Sequence, residues 1–305
     1  MTHRNNLWYQ SLLAVFTSLL FAGSFVAGRY TTDEMGPLLI TLLRYLIASV
    51  FLFLLVLWKK DIGPRIQSAS IADVLCLFGL GTFGVVGYHF FFFSSLRYTA
   101  VANSAIINAF NPVVTGFLAA VILKEKLALK NYMGGAIAIL GVLILLTNGD
   151  LVSLLRLQLN AGDLLMLCAV LCWAVYSILL RHLGKTYSGL AMSYYGALFG
   201  VLQLALLVIP ELSQTGWPTL SLSSTLGVLY MGIGASGIGY LLFTLSTQRI
   251  GPTKSTSIVY SSVPVWVALL AWFFFQEAIT PWMIVSMSLI LLGLRTVLKQ
   301  PNPTA

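Results

Sequence analysis

Apolar residues fill this chain in runs of about 18 to 24, separated by short polar breaks. The runs predict helices at 8–28, 36–58, 71–96, 100–123, 131–148, 163–183, 188–209, 222–247, 253–276 and 280–298. Each is long enough to cross a hydrocarbon core roughly 30 Å thick. Gly36-Pro37, Gly63-Pro64, Trp217-Pro218, Gly251-Pro252 and Thr280-Pro281 punctuate the breaks, with proline suited to the first turn of the following helix. No break can house a soluble domain. The fold class read from this pattern is an all-α polytopic membrane protein with ten transmembrane helices, one membrane domain over 1–305. Arg4 and the apolar run after it imitate a secretory signal, but the run is too long for an h-region, so it reads as a retained first helix.

Composition narrows the class further. Of 305 residues, 58% are hydrophobic and 9% charged, where a soluble domain carries about 25% charged. The mean hydropathy is +0.91. These values exclude an ordinary soluble enzyme, a disordered chain and a disulfide-built secreted module. Cys76, Cys168 and Cys172 lie inside apolar runs and read as small hydrophobes.

The net charge of +8 orients the chain. With the N-terminus in the cytoplasm, the inner segments hold Arg4, Lys59, Lys60, Arg65, Lys124, Lys126, Lys130, Arg181, Lys185, Arg249, Lys254, Arg295 and Lys299. The outer segments hold Arg29, Arg97 and Arg156. That asymmetry puts both termini in the cytoplasm. The basic excess belongs to loops at a membrane surface, not to a nucleic-acid site. The expected partners are a small-molecule substrate and membrane lipid; a monomer satisfies the pattern, which leaves oligomeric state open.

The chain also repeats itself at an offset of 152 residues. Gly87-Tyr88 falls on Gly239-Tyr240, Phe91 on Phe243, Ser94 on Ser246, Arg97 on Arg249, Pro112-Val113 on Pro264-Val265 and Glu125 on Glu277. Membrane composition explains chance matches of Leu, Ala and Val, but not Tyr, Arg, Pro and Glu at one offset. The halves run over 8–148 and 160–298. Five spans per half, an odd number, insert the second half upside down relative to the first. Inverted repeats are a recurring architecture of secondary transporters.

Arg44, the stretch Tyr98 to Asn108, Asn111-Pro112-Val113 through Glu125, Gly162-Asp163 leading to Cys172-Trp173-Ala174 and Arg181, and Gly239-Tyr240 through Pro264 and Glu277 carry a resemblance. In their order and spacing the chain resembles the drug/metabolite transporter superfamily, in its EamA-type branch. The resemblance covers nearly the whole chain. It implies export or exchange of small metabolites through a central cavity lined by both halves, without naming the solute.

Candidate site residues come from polar and aromatic groups at midplane. Ser104, Asn108, Asn111 and Thr115 share one face of a helix, bordered by Asn103. They either line a cavity or bond helices together. Thr256, Tyr260, Val263 and Val267 are their repeat mates. Pro112 and Pro264 each remove a backbone donor and free the carbonyl of Asn108 or Tyr260. Glycines at 79, 81, 84 and 87 precede Tyr88, and those at 232, 234, 237 and 239 precede Tyr240; they permit close packing or bending. Tyr88, Tyr240, Trp173 and Tyr176 offer ring faces to a solute, with Trp266, Tyr194 and Tyr195 as further candidates. Trp58 and Trp282, near helix ends, read as interfacial anchors.

His89 is the best candidate for proton coupling, set against the alternative of a neutral histidine hydrogen-bonded within the bundle. Glu125 and Glu277 close their helices, where a carboxylate opposes the dipole, so each is expected to cap the helix that follows it. Arg44 is expected to clamp Asp33, Glu34 or free carbonyls near the outer surface, with recognition of an anion as the less favoured alternative. No metal set, cofactor motif, P-loop, G-x-S-x-G or H-E-x-x-H is present in the sequence. The reading is a non-enzymatic secondary active transporter, exporter or exchanger in a bacterial-type inner membrane. It would carry amino acids and related neutral, zwitterionic or aromatic solutes by alternating access. The alternatives are efflux of cationic amphiphiles by proton antiport, a channel or scramblase, or an intramembrane enzyme.

Overall fold

The computed structural model describes residues 2–61, 70–123, 129–147, 149–150, 160–250 and 252–298. Gly63-Pro64, Arg65, Lys124, Glu125, Lys126, Arg156, Gly251 and Lys299, all used above, lie outside the described residues. The described residues form helices and connecting turns, with no strand among them.

The first half comprises α1 (Thr2–Thr32), α2 (Pro37–Lys59), α3 (Ile71–Gly79), a π-helical segment (Leu80–Gly87), α4 (Tyr88–Ser95), α5 (Val101–Asn108), α6 (Asn111–Leu123) and α7 (Leu129–Thr147). The second comprises α8 (Ala161–Leu183), α9 (Gly189–Leu207), the short α10 (Ile209–Thr215), α11 (Leu222–Leu229), a second π-helical segment (Tyr230–Gly239), α12 (Tyr240–Ile250), α13 (Pro252–Phe275) and α14 (Pro281–Leu298). Eight helical stretches are long and apolar enough to cross a membrane. Two further apolar helices, Tyr132–Leu145 and Pro281–Thr296, are shorter, so length and apolarity alone support eight spans where the sequence predicts ten. The chain is an integral membrane protein.

Local chemistry sets the helix starts. Ser70 and Asp73 form a reciprocal capping box on α3. Asn160, Ser188 and Ser221 cap α8, α9 and α11 through Gly162, Ala191 and Ser224. Pro37 opens α2, where its missing donor removes nothing. Outward faces are apolar: Val50, Leu54 and Leu57 of α2 are exposed, while Arg44, Tyr45, Ala48 and Leu52 on its other faces are buried. That is the reverse of a soluble amphipathic helix and suits a lipid solvent.

Packing crosses the halves and follows the repeat. α1 packs on α13 as α8 packs on α5 and α6. α2 packs on the second π segment as α9 packs on the first. α7 and α14 grip each other along small residues. A Cβ on Gly141 would meet the Ser286 carbonyl at 2.8 Å, and one on Gly293 the Gly134 carbonyl at 2.5 Å. Ser286 Oγ donates to the Gly141 carbonyl at 2.6 Å. Gly81 likewise brings the first π segment to within 2.6 Å, Cβ to backbone nitrogen, of Gly200 on α9.

Candidate functional site

Where α1, α2, α4, α5, α8, α12 and α13 converge, they enclose a cavity of about 30 Å³. That is room for roughly one or two water molecules. From the first half come Phe21, Ser24 and Phe25 of α1, Arg44 of α2, Tyr88, His89 and Phe92 of α4, and Asn108 of α5. From the second come Trp173, Tyr240 and Tyr260. The offset of 152 residues pairs these walls: Phe21 with Trp173, Tyr88 with Tyr240, Asn108 with Tyr260. Three pairs of mates therefore line one small space from the two halves.

Trp173 is the hub. It is 1% exposed, and its ring centroid lies 4.9 Å from Tyr88, 5.5 Å from Tyr240 and 5.9 Å from Tyr260. The last two contacts are edge-to-face, the arrangement ring quadrupoles favour. Its indole nitrogen, the Tyr240 hydroxyl and the Ser24 hydroxyl are buried without a hydrogen-bond partner. Orphaned polar atoms in a dry interior are costly, and here three belong to residues of the cavity wall.

His89 donates from Nδ1 to the Val85 carbonyl at 3.0 Å, since a carbonyl only accepts. Tyr45 packs edge-on against the His89 ring at 5.1 Å.

The π segments end at Gly87 and Gly239, immediately before Tyr88 and Tyr240. A π turn widens the helix by one residue and recurs at functional sites. The glycines there serve close packing: a Cβ on Gly84 would meet the Tyr176 ring at 2.3 Å, and one on Gly239 the Phe21 ring at 2.9 Å.

The polar stripe of α5 and α6 divides. Asn108 reaches the cavity. Asn111 stands behind it and donates to Asn108 Oδ1 at 3.0 Å. Ser104 shares a hydrogen bond with Ser95 at 3.2 Å and fastens α5 to α4. Thr115 Oγ1 is buried and unpartnered. Tyr176 backs the cavity, 5.0 Å from Trp173. Trp266 does not line it, although its indole nitrogen is also buried without a partner. Pro112 lies in the first turn of α6, after a break at residues 109–110 that the sequence reading ran through as one helix. Pro264 lies inside the continuous α13.

Two expectations are corrected. Glu277 caps a helix, but not the next one: its carboxylate accepts from Val101 and Ala102 N–H at 3.0 and 3.1 Å, at the start of α5. Gln276 takes a left-handed turn, and Thr280 caps α14 in its place through Met283 N–H. The latch thus ties the second half to the first. Arg44 pairs with neither Asp33 nor Glu34. It points inward from the second turn of α2, donating from Nε to Ser236 Oγ at 2.9 Å. Glu34 instead accepts from Ser221 N–H at 2.9 Å, and its bonds to Ser221 hold it below the usual carboxylate value.

The same end of the bundle carries links that sequence reasoning missed. Glu211 accepts from Leu38 and Leu39 N–H at 3.2 and 3.0 Å. Arg29 donates to the Leu96 carbonyl and Arg97 to that of Met35, both at 2.6 Å. Phe21, Ser24, Phe25 and Phe92 were also missed as wall residues. The repeat carried the signal for two of them, since its offset sets Phe21 on Trp173 and Ser24 on Tyr176.

Known proteins resemble this chain along its length. The EamA-like transporter family model matches it twice, at residues 8–147 and 160–299. The uncharacterized transporter YyaM of Bacillus subtilis is 26% identical over 92% of this chain and 90% of its own. A probable terminal-alkyne amino-acid exporter of Streptantibioticus cattleyicolor is 25% identical over 82% of this chain and 80% of its own. An S-adenosylmethionine/S-adenosylhomocysteine transporter of Chlamydia trachomatis is 23% identical over 93% and 88%. A solved crystal structure, 21% identical, matches with a TM-score of 0.65 over 95% of this chain and 98% of that one; the likeness concerns the fold.

Proposed function

The chain belongs to the EamA-like transporter family, and on that premise we propose that it is a secondary active transporter moving small metabolites by alternating access. In this reading it crosses a bacterial-type inner membrane ten times, α7 and α14 included, in two inverted halves, 8–148 and 160–298. Both termini lie in the cytoplasm, following the basic residues. It is a carrier, not an enzyme, and needs no cofactor.

One observation carries the reading: a small cavity walled by repeat mates from both halves. A site shared by two similar halves can pass between two exposures of similar energy. At about 30 Å³ it is smaller than a metabolite, so binding requires the helices to part around it. The π segments beside Tyr88 and Tyr240 are where that bending is cheapest, since their glycines carry no side chain to rearrange. Tyr88, Asn108, Trp173, Tyr240 and Tyr260 form the proposed solute contacts, with Asn111, Ser104, Tyr176 and Trp266 as supports. Aromatic faces and an amide favour neutral, zwitterionic or aromatic solutes, amino acids foremost. The amino-acid exporter and the S-adenosylmethionine/S-adenosylhomocysteine transporter among the relatives speak for the same class.

The test is counterflow in liposomes holding the purified protein and labelled amino acids. Saturable uptake, accelerated by solute on the far side and reduced about tenfold or more in folded Tyr240→Ala and Asn108→Ala proteins, supports the carrier. Linear uptake with no trans effect overturns it in favour of a channel or scramblase. Proton antiport is the second reading, favoured by His89 on the cavity wall; it predicts that an imposed pH gradient drives uptake and that His89→Gln removes that drive.

A further inference from the structure

Arg44 is 2% exposed, and no ion pair to it exists among the described residues. Burying one charge without a counter-charge is among the costliest things a fold can do. What surrounds this guanidinium is neutral. Nε donates to Ser236 Oγ at 2.9 Å, and Nη1 makes a weak contact with Met231 Sδ at 3.8 Å. The ring centroids of Tyr45 and Phe93 lie 5.5 and 5.6 Å from Cζ, close enough for cation–π attraction. These contacts hold the side chain in one place and leave its charge unmatched.

The scaffold does not need that charge. Gly196 stands at the matching position of the second half, and α9 forms there as regularly as α2 does here. Arg44 also lines the cavity described above. A fixed, uncompensated cation on the wall of a binding cavity is a preformed anion site.

We propose that Arg44 anchors a carboxylate of the transported solute, an inference that rests on the carrier reading above. The planar fork of a guanidinium matches a carboxylate bidentately. Among the described residues Arg44 is the one Lys or Arg on the cavity wall, enough for a monoanion; a phosphate ester, with up to two charges, calls for a cluster. The rings of Tyr88, Trp173 and Tyr240 line the same cavity and suit an ammonium or an apolar side chain. The solute is thus a carboxylate with an apolar or cationic remainder, and the α-amino acid head satisfies both sides.

Two measurements on the purified full-length chain test this: melting temperature in detergent, and counterflow in liposomes. The probes are L-methionine and L-phenylalanine, their methyl esters, their decarboxylated amines and 3-phenylpropionate. In the wild type the carboxylates raise the melting temperature, while esters and amines bind about tenfold or more weakly. Arg44→Met abolishes that preference while the empty protein melts at the same or a higher temperature, because an apolar side chain replaces an unmatched buried charge. Arg44→Lys keeps the charge without the fork and retains part of the preference. Esters or amines binding as well as acids overturn the proposal while leaving the carrier intact. So does an Arg44→Met protein that fails to fold beside an Arg44→Lys protein with wild-type preference, since Arg44 is then only a clamp. No binding and no uptake in either series, by folded wild-type protein, overturns the carrier reading and this inference with it.

Discussion

The fourth helical span of the first half and its repeat mate in the second carry the same proline and fold differently. Around Pro112 the chain divides into α5 and α6, whereas α13 runs unbroken through Pro264. Each proline removes the same backbone donor, so the difference lies in the neighbours. Asn108 and Asn111 flank the break and bond to each other; short amides compete with the helix for backbone geometry. Their mates Tyr260 and Val263 offer no such alternative, and Ser262 bonds back to the Ile258 carbonyl within the helix. Proline permits a break, and the residues beside it decide whether the helix takes it. One half thereby brings an amide at a helix end to the cavity, the other a phenol from a continuous helix.

The largest asymmetry to test lies in the Phe21 and Trp173 pair. Trp173→Ala removes the ring that joins Tyr88, Tyr240 and Tyr260, and should cost about 3–5 kcal/mol of stability and nearly all uptake. Phe21, partly buried and packed on Tyr240 and Phe243, should cost clearly less as Phe21→Ala. Melts and counterflow of the two variants side by side check this, and equal losses would break the comparison.

Next comes the link between halves at Glu277. Losing two charge-assisted bonds in Glu277→Ala should destabilise the contact between the halves by about 2 kcal/mol. A cysteine introduced at Ser24 should then react faster with a membrane-impermeant thiol reagent applied from that side. Unchanged labelling would mean that the latch does not guard the cavity.

The two prolines give a smaller contrast. Pro264→Ala restores a donor inside an intact helix and should raise stability by about 1 kcal/mol with uptake retained. Pro112→Ala should lower uptake by pulling Asn108 into a continuous helix. Similar effects from both would remove the neighbour argument.

The smallest effect concerns Glu34, whose repeat mate Thr186 bears no charge. Its hydrogen bonds to Ser221 lower its pKa from the ordinary value of 4.5. The folded state therefore holds the carboxylate more acidic than the unfolded state does. That contribution is present above about pH 4.5 and fades as pH falls through the lower folded value. Melts of wild type and Glu34→Gln should differ slightly near neutrality and converge in acid; a gap that widens in acid would reverse the assignment.

Much of the site was legible because a polar or aromatic residue stands out in an apolar helix. Tyr88, Asn108, Trp173, Tyr240 and Tyr260 were found that way and share one cavity. Phe21 and Phe25 were not, since an aromatic ring facing lipid and one facing a cavity look alike in composition. Glu277 was read as a cap from its clash with the helix dipole, but its target lies far away in sequence, and local logic names only the nearest helix. The break after Asn108 went unread for a similar reason: span-length arithmetic counts apolar residues and is blind to a turn inside them. The π segments lie beyond the same arithmetic, because hydropathy does not register one extra residue per turn.

The single guanidinium also says something about descent. Were the cavity enclosed by two identical five-helix chains, every wall residue would enter it twice, related by the axis between them. Two copies of Arg44 would then put two like charges on one cavity, and no lone solute carboxylate could neutralise both. Joining the halves in one chain lets a glycine, Gly196, occupy the repeat position that matches the arginine. Fusion after duplication thus does more than fix stoichiometry, because it lets the cavity wall carry one guanidinium rather than two.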